Sequence, residues 1–307
     1  MEVSIIIVNY NTQALTSQCI DSVFDKVSGI SFEIILVDNA SKDGSKSFFE
    51  NDSRIKYVYS EENLGFGKAN NLGFKYSTGN YVFLLNSDTY LINNAIYLMW
   101  KQMEDLRKDE KIENVGCVGC MLRDKDGDIT HSYSRFPKMI RTILADSVYP
   151  VLWKSHILSK LPSTSNYVKG REGSRWFDVD YITGADLMIR RDVCEKLGMF
   201  DPDFFMYSEE VEMQHRYMKA GFRRIINNEA QIVHLVGKST GTLTPQKRTM
   251  IMKSMFLYFK KTSNPVTYHI FNIIYKLFYI PFNIFCFPFF KGSAREKFLH
   301  IKNVSIM

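Results

Sequence analysis

The first 122 residues alternate short apolar runs with segments of helical periodicity, and this alternation constrains the fold more than any other feature. Residues 3–8 form an apolar run of the kind that a parallel strand buried on both faces requires. Similar strand-like runs follow at residues 32–37, 55–59, 81–85 and 115–122, and helical spacing separates them at residues 15–24, 44–50, 67–76 and 95–106. The pattern predicts an α/β domain with a mostly parallel sheet covered by helices.

The second half of the chain is less regular. Residues 176–181 and 231–235 predict two strands, and residues 190–197 and 209–220 predict two helices. Residues 124–128 predict a hairpin turn rather than a calcium loop, because the glycine has the wrong offset and the terminal glutamate is missing. Residues 162–173 are predicted to form a surface loop.

Five cysteines argue against a disulfide framework, because they are few and odd in number. Cys117 and Cys120 have the spacing of half a zinc site, but they fall in a predicted strand and no second pair exists. Two strand cysteines are therefore the preferred interpretation. The composition fits a reducing compartment, and no basic-then-apolar leader precedes residue 3. A cytoplasmic location is expected.

Basic charge is concentrated at the end of the chain. Residues 247–307 carry ten basic and one acidic side chain, whereas the preceding 246 residues carry 29 basic and 32 acidic ones. Within the basic segment, residues 266–290 include ten aromatic side chains. Six of them fall on one helical stripe, namely Tyr268, Phe271, Tyr275, Phe278, Phe282 and Phe285.

This segment predicts an amphipathic helix at the surface of an anionic membrane, at the cytoplasmic face. It is long enough to span a bilayer but polar in places, and Pro281 is expected to kink or end the helix. Packing against the catalytic domain, or against a second copy in a homodimer, stays open. A nucleic-acid partner is disfavoured, because the stripe lacks interleaved polar groups that read bases.

Polar residues follow the predicted strands, where ligands of open α/β sheets bind. They lie at residues 9–11, 38–39, 61–67 and 86–88. A glycine-rich turn is missing after the first strand and no phosphate loop of the Walker type is present, which disfavours a dinucleotide enzyme, a nucleotidyltransferase and a P-loop enzyme.

Carboxylates and one histidine supply candidate chemistry. Asp88 follows a buried apolar run, where a carboxylate is costly unless it is paired or bound to metal. Glu209 and Glu210 begin a predicted helix, and His234 lies in a predicted strand, where its ring nitrogen would be a good ligand for a divalent ion. Taken singly, Asp88 could be a helix cap or a turn residue, and a structural role is the default for each glutamate. A lone histidine in a strand is usually a core or surface residue.

Taken in order, these residues resemble family 2 glycosyltransferases, and most closely the bacterial rhamnosyltransferase-like members that build surface polysaccharides. The resemblance covers about residues 3–260. It is carried by residues 8–11, 38–41, 63–71, 84–88, 183–185, 200–201 and 209–212, together with His234.

The resemblance implies a GT-A fold, an inverting mechanism, Mg²⁺ or Mn²⁺ as cofactor, a nucleotide-diphosphate sugar as donor and a glycan or lipid-linked acceptor. It implies that Asp38 binds the base of the nucleotide and that Val8 and Tyr10 line the nucleotide pocket. Asn63, Gly65 and Lys68 match the loop that lies beside the nucleotide and its phosphates. Ser87 and Asp88 match the metal-binding triplet, and His234 matches a histidine that helps to hold metal or diphosphate. Glu210 matches the general base, Glu209 its acidic neighbour, and Gly184 the small residue beneath the acceptor and donor sugar.

Two departures from the family pattern are present. The metal triplet often begins with aspartate, but here it begins with Asn86, so that Asp88 is its only carboxylate. The base is usually aspartate, but here it is Glu210, and Glu209 stays open as an alternative base. A catalytically weak binding or scaffold protein is therefore the alternative function.

The expected organisation is a catalytic domain over residues 1–245, with a nucleotide-binding half (residues 1–122) and an acceptor-binding half (residues 123–245). A C-terminal helical extension is expected over residues 246–307. The expected donor is dTDP-rhamnose, with UDP-hexoses as the alternative.

Overall fold

A computed structural model describes residues 1–109, 114–145, 173–235, 244–285, 298–299 and 302. The chain divides into two compact units. The first comprises Met1–Arg135, Tyr167–Phe205 and Glu209–Gly241, and the second comprises Phe136–Asn166, Met206–Ser208 and Thr242–Met307. The predicted loop at residues 162–173 lies outside the described residues except for Gly173.

The described strands all belong to the first unit. They are β1 (Val3–Asn9), β2 (Phe32–Asn39), β3 (Lys56–Ser60), β4 (Tyr81–Asn86), β5 (Thr89–Leu91), β6 (Val115–Arg123), β7 (Tyr133–Ser134), β8 (Trp176–Asp178), β9 (Tyr181–Ile182), β10 (Asp186–Arg190) and β11 (Arg223–His234). Its described helices are α1 (Gln13–Lys26), α2 (Ser45–Phe49), α3 (Phe66–Tyr76), α4 (Ala95–Lys108), α6 (Arg191–Leu197) and α7 (Glu209–Lys219). The second unit contains α5 (Met139–Ile143), α8 (Pro245–Thr262) and α9 (Pro265–Phe285).

Nine of these strands, counted over the described residues, form one mixed sheet with the order β3-β2-β1-β4-β10-β6-β11-β5, and β8 pairs with β11. β3, β2, β1 and β4 are parallel, as are β6 and β11. β10 lies antiparallel between β4 and β6. The predicted α/β architecture with a mostly parallel sheet is confirmed.

Two apolar layers cover the sheet because its central strands are buried on both faces. On β1, Ile5 and Ile7 point into one layer with α1 and α4, whereas Ile6 points into the other with α3. All three side chains are fully buried. The continuous apolar run of β1 is therefore what a strand covered on both sides needs.

Several element boundaries differ from the sequence prediction. Residues 176–181 form parts of two strands, β8 and β9, which belong to different sheets. The last strand is much longer than residues 231–235, because its polar first half pairs with β6 and β8. The apolar residues of β10 were not predicted as a strand. The hairpin turn at residues 124–128 is confirmed, since the Asp124 amide donates to the Asp128 carbonyl at 2.8 Å.

Cys117 and Cys120 lie in β6, as predicted, and both thiols are buried. Burial raises the pKa of each thiol well above its usual value, so both are held as neutral thiols. They act as small apolar side chains of the sheet.

In the second unit, and contrary to the sequence prediction, the aromatic stripe does not form the membrane-facing side of a helix. Tyr268, Phe271 and Tyr275 are buried rather than turned toward a membrane. They pack within the unit: the Phe256 ring lies 5.3 Å from Phe271 and 4.9 Å from Tyr275, centroid to centroid. Of the other stripe members Phe278 is exposed, and the side chains of Phe282 and Phe285 lie outside the described residues.

The helix α9 continues through Pro281 to Phe285, so of the two expected effects of the proline, a kink or an end, the end does not occur. Its exposed face is aliphatic, with Val266, Ile270, Ile273, Leu277 and Ile284 all more than half exposed. We call these five residues the aliphatic stripe. Among the described helices, none has the length and apolar character needed to cross a bilayer.

Gly73 tests the close packing of α3 on the sheet. A Cβ at this position would lie 2.5 Å from the Ile6 side chain and 3.1 Å from that of Val37, which are fixed in the core. We expect Gly73→Ala to lower the free energy of unfolding by about 1–3 kcal/mol, because overpacking forces the sheet and the helix apart. Urea unfolding followed by circular dichroism measures this loss.

Gly173→Ala is the matched control. No atom of the described residues lies within 4 Å of a Cβ placed there, so its stability should stay within about 0.5 kcal/mol of the wild type. Equal unfolding midpoints for the two variants would contradict the packing described for α3.

Candidate active site

The turn after β1 is tied to the turn after β4 by a buried network. The Asn9 Oδ1 accepts hydrogen bonds from the hydroxyls of Thr12 and Thr16, both at 2.9 Å. The Thr12 hydroxyl also lies 3.1 Å from the hydroxyl of Ser87. The predicted contacts Val8 and Tyr10 flank Asn9, Val8 half-buried and Tyr10 exposed. Ser87 is therefore positioned from the β1 turn.

Asp38 is the penultimate residue of β2 and is fully buried. Its Oδ1 accepts from the backbone amide of Ser41 at 2.9 Å, and its Oδ2 accepts from the hydroxyl of Tyr57 at 2.8 Å. Burial and the hydrogen bond to Asp38 raise the pKa of Tyr57 well above its usual value, so this hydroxyl stays a donor. The carboxylate is thus fixed in orientation, and it retains lone pairs for a ligand.

Asn39, a residue given no role of its own by the sequence, shapes the loop after β3. Its Nδ2 donates to Asn63 Oδ1 at 3.0 Å, and its Oδ1 accepts from the Leu64 amide at 2.8 Å. Asn63 Oδ1 also accepts from the Gly65 amide at 2.9 Å. Asn63 therefore holds the loop as well as bordering the predicted site.

Gly65 must be glycine at its position. Its φ is +79°, and a Cβ would lie 2.1 Å from the backbone oxygen of Phe205. That same oxygen accepts from the Phe66 amide at 2.9 Å, which fixes the start of α3. Lys68 is exposed on the first turn of this helix, where backbone amides and a cationic side chain together favour an anion.

Asp88 follows β4 and is 2% exposed. Its Oδ1 lies 3.3 Å from His234 Nε2, and its backbone oxygen accepts from the Leu235 amide at 2.9 Å. The antiparallel pairing of β11 with β5 brings the two together, since His234 is opposite Thr89. The structure therefore brings together two residues that are far apart in sequence and were both predicted as metal ligands.

The donor set at this turn suits a divalent cation that completes its shell elsewhere. Asp88 supplies a carboxylate and His234 an imidazole, and the Asn86 Oδ1 is a buried acceptor with no hydrogen-bond partner in the part of the chain that the structure describes. Among the described residues, no three His, Cys, Asp or Glu side chains converge closely enough to hold a metal alone. Phosphate oxygens and water would have to supply the remaining ligands, as is usual for Mg²⁺.

Two glutamates begin α7, and they face different neighbours. A Cβ placed at Gly67 would lie 3.6 Å from the Glu209 Cβ, and one placed at Gly184 would lie 3.8 Å from the Glu210 Cβ. Glu209 is 3% exposed and its Oε2 has no hydrogen-bond partner among the described residues, whereas Glu210 is partly exposed. Glu209 thus packs toward α3, and Glu210 toward the segment before β10.

Burial raises the pKa of both glutamates, and the charge of Glu210 raises the pKa of Glu209 further. Raised pKa values suit a carboxylate that accepts a proton near neutral pH. Gln214 anchors their helix, since it accepts from the Ile182 amide at 2.8 Å and donates to the Ile182 carbonyl at 2.7 Å.

Asp186 is a further buried carboxylate that the sequence did not single out. It starts β10 opposite Leu85 and is fully buried. Its Oδ2 accepts from the Cys120 amide at 2.6 Å. Burial raises its pKa to about 7, an effect that the Cys120 amide and the charge of His234 offset only in part.

Residues with left-handed backbone conformations occur at the strand ends and before α7. Asn11 and Ala40 have φ values of 56° and 68°, and Tyr207 and Ser208 have values of 73° and 65°. Side chains other than glycine rarely adopt these values, and they concentrate at functional sites. Elsewhere in the first unit an open groove of about 920 Å³ runs beside α1 and β5, but none of the predicted site residues borders it.

Comparison with known proteins shows the family to which the chain belongs. The model of the family described as Glycosyl transferase family 2 matches residues 4–212. The low-salt glycan biosynthesis hexosyltransferase Agl10 of Haloferax volcanii is 26% identical over 217 residues, which cover 70% of this chain and 61% of that protein. The N-acetylglucosaminyl-diphospho-decaprenol L-rhamnosyltransferase of Mycobacterium tuberculosis is 26% identical over 220 residues, which cover 68% of each.

A solved structure supports the same fold. The mannosyltransferase PcManGT from Pyrobaculum calidifontis, in complex with GDP-Man and Mn²⁺, aligns with a TM-score of 0.58 at 17% identity. The alignment covers 99% of this chain and 80% of that one. The fold is GT-A, and the chain belongs to glycosyl transferase family 2.

Proposed function

We propose that the protein is an inverting glycosyltransferase that moves a sugar from a nucleotide diphosphate to a glycan or lipid-linked glycan of a surface polysaccharide. The observation that carries the proposal is the Asp88–His234 pair, which lies at the turn after β4 beside Ser87 and the β1 network. Glycosyltransferase activity and a role in glycan synthesis are supported by the family and by its relatives. Rhamnose on dTDP is the preferred donor and a UDP-hexose the second choice.

The nucleotide would lie across the carboxyl ends of β1 and β2. Asp38 is the proposed partner of the base, because its carboxylate is fixed by Ser41 and Tyr57 yet keeps unused lone pairs. Val8 and Tyr10 would line the pocket, and Asn63, Gly65 and Lys68 would lie beside the phosphates. The amides at the start of α3 and the Lys68 charge would favour the diphosphate there.

Asp88 and His234 would hold the divalent ion, with Ser87 beside it. When bound, Mg²⁺ or Mn²⁺ supplies positive charge to the departing nucleotide diphosphate. The solved relative with GDP-Man and Mn²⁺ supports a metal for this fold, although the ligands of this chain are a proposal. His234 makes up in part for the missing first carboxylate at Asn86.

Glu210 is the proposed general base, because it is partly exposed and faces Gly184 at the predicted acceptor side. It would take the proton of the acceptor hydroxyl as that oxygen attacks the anomeric carbon. A single base with direct displacement inverts the configuration, and no carboxylate nucleophile is then required. Glu209 points toward α3 rather than toward Gly184, which favours Glu210 over Glu209 as the residue that takes the proton.

A binding or scaffold protein on the same fold is the second candidate. Asn86 in the metal triplet and glutamate at the base position favour it over full activity. Sugar-nucleotide turnover separates the two functions, since a scaffold would bind the donor without consuming it.

Removing Asp88 tests the metal proposal. We expect Asp88→Ala to reduce kcat/KM at least about 100-fold, because metal charge contributes several kcal/mol to such transition states. Release of nucleotide diphosphate from dTDP-rhamnose and UDP-hexoses, with Mn²⁺ or with EDTA, measures the loss. Asp126→Ala is the matched control, since it removes an exposed carboxylate from the hairpin turn.

Wild-type protein that binds sugar nucleotides but turns over none of them, with lipid-linked or glycan acceptors supplied, would support the scaffold instead. An active Asp88→Ala variant with the wild-type response to Mn²⁺ would contradict the metal site.

The pH dependence tests the base. Because the pKa of the glutamate pair is raised, kcat/KM should rise with pH through an apparent pKa above the usual 4.5 of a glutamate. Glu210→Gln should lower kcat/KM by about 100-fold or more and remove this acidic limb. Glu209→Gln should remain active and keep the acidic limb, because burial rather than the charge of Glu209 raises the pKa of Glu210. Loss of activity in Glu209→Gln with retention in Glu210→Gln would assign the base to Glu209.

We also propose that the second unit makes peripheral contact with an anionic membrane at the cytoplasmic face. The aliphatic stripe of α9 is exposed, and α8 and α9 carry six basic and no acidic side chains over residues 245–285. An apolar face with basic surroundings favours the surface of an anionic bilayer. A lipid-linked acceptor would meet the protein at that surface.

The membrane proposal predicts that Leu277→Glu weakens binding to anionic phosphatidylglycerol vesicles by about tenfold or more, since it removes one buried leucine's worth of transfer free energy. Vesicle co-sedimentation in low and high salt measures the binding. Thr267→Glu is the matched control, because it places the same charge at an exposed α9 position outside the aliphatic stripe. Equal losses of vesicle binding in the two variants would contradict a membrane role for the aliphatic stripe. If the wild type binds no vesicles but forms a dimer that Leu277→Glu dissociates, the stripe would instead be a subunit interface.

A further inference from the structure

Thr12 directly precedes α1, but its side chain does not cap that helix. A threonine at this position usually accepts a hydrogen bond from a backbone amide in the first helical turn. The Thr12 side chain makes no such bond, and the Gln13 amide donates instead to the Asp43 carboxylate at 2.9 Å. The Thr12 hydroxyl is turned toward Asn9 and Ser87. Helix capping therefore does not account for a threonine here.

The distances in this network fix the positions of its hydrogen atoms. The Thr12 amide lies 3.3 Å from Asn9 Oδ1, and Asn9 Nδ2 lies 3.0 Å from the Ser41 hydroxyl, so the side-chain oxygen of Asn9 faces α1. This oxygen cannot donate, and the hydroxyls of Thr12 and Thr16 both lie 2.9 Å from it. Each hydroxyl directs its single hydrogen to Asn9, because two acceptor oxygens at that distance would otherwise repel each other.

The direction of the Ser87 hydroxyl follows from that of Thr12. The Thr12 oxygen has directed its hydrogen to Asn9, so it can only accept from Ser87, which lies 3.1 Å away. The hydrogen of Ser87 therefore points into the protein, and its oxygen lone pairs remain as acceptors. Among the described residues, Ser87 has no second side-chain hydrogen-bond partner, and it is 7% exposed. Its oxygen can accept from a ligand but cannot donate to one.

We propose that Thr12 is a positioning residue, which acts through Ser87 to present an acceptor-only oxygen, next to Asp88, to an electron-poor group of the bound donor. Two groups have this chemistry, namely the divalent ion and a hydroxyl of the nucleotide's ribose. The inference rests on the proposed function, because it assumes that a nucleotide diphosphate binds at this turn. A neutral oxygen serves either group without adding a further buried charge beside Asp88.

The test is a double-mutant cycle in the intact chain, with binding of dTDP and of UDP measured by isothermal titration calorimetry in Mn²⁺ and in EDTA. Thr12→Val keeps the shape of the side chain but removes its hydroxyl, so that the Ser87 hydrogen loses its acceptor. It should weaken nucleotide binding in Mn²⁺ about three- to tenfold, as the loss of one hydrogen bond does. In a Ser87→Ala background, the same substitution should cause no further loss, because its effect passes through that hydroxyl.

Thr12→Ser should bind nucleotide as the wild type does, because it restores the hydroxyl. Thr16→Val is the matched control, since Thr16 donates to the same Asn9 oxygen at 2.9 Å but makes no hydrogen bond to Ser87 in the described structure. Both valine variants should lower the melting temperature of the nucleotide-free protein, whereas only Thr12→Val should lose nucleotide affinity. Thr12→Ala serves as the second variant if valine at position 12 impairs folding.

The EDTA series distinguishes the two groups that Ser87 could face. A loss of affinity in Thr12→Val that occurs in Mn²⁺ and disappears in EDTA assigns the Ser87 oxygen to the metal ion. An equal loss in both series assigns it to a ribose hydroxyl. Either result supports the positioning role of Thr12.

Wild-type affinity in Thr12→Val and Thr12→Ala, with tight binding in the wild type, would overturn the inference and leave the proposed function intact. Equal losses in the wild-type and Ser87→Ala backgrounds, or in Thr12→Val and Thr16→Val, would also overturn it. A wild-type chain that binds neither dTDP nor UDP, in Mn²⁺ or in EDTA, would contradict the proposed function, and this inference with it.

Discussion

The antiparallel insertion of β10 between β4 and β6 is the constraint on which the site depends. Without β10, the parallel strands β3-β2-β1-β4 and the pair β6-β11 would have no common sheet. Its pairing places Asp186 opposite Leu85 and therefore brings the residues just before it to the turn that carries Asp88. Residues from the two halves of the sequence meet at one edge for this reason.

A second consequence of this arrangement is a concentration of buried acids. Asp38, Asp88, Asp186 and Glu209 are each at most 3% exposed. Burial of this kind works against stability unless each charge is compensated, and only some of the oxygens have hydrogen-bond partners. Such a set is what a site for a cation and a proton-transfer step would require, and its cost must be offset by the apolar layers on both faces of the sheet.

Local signals in the sequence were sufficient to predict the parallel strands β1 to β4. The apolar runs at residues 3–8, 32–37 and 81–85 could form only strands covered on both faces, and the polar residues after them mark one edge. β10 could not be found in this way, because its short apolar run is followed immediately by α6. The first half of β11 was missed because polar side chains surround its only two apolar residues, Ile225 and Ile226, and pairing with β6 and β8 stabilises it as a strand.

The same limit applies to side chains. The family pattern indicated Asp38, Asp88, Glu210 and His234, and the structure brings Asp88 and His234 together. It included Asn39 without giving it a role and did not include Thr12, because the roles of both come from hydrogen bonds to distant residues. On α9 the periodicity identified a stripe but not which face is buried, since that depends on the aromatic partners supplied by α8. Sequence can thus propose the members of a site, but three-dimensional pairing decides their environment.

The edge formed by the ends of β1, β2 and β4 is proposed to bind a nucleotide diphosphate together with a divalent ion. A thermal-shift screen of dTDP- and UDP-sugars against the wild-type chain tests this binding, because a ligand that binds only the native state raises the melting temperature. At least one sugar nucleotide should raise the melting temperature, and Mn²⁺ should enlarge the shift whereas EDTA should reduce it. The absence of a shift with every sugar nucleotide, in Mn²⁺ and in EDTA alike, would exclude such a site.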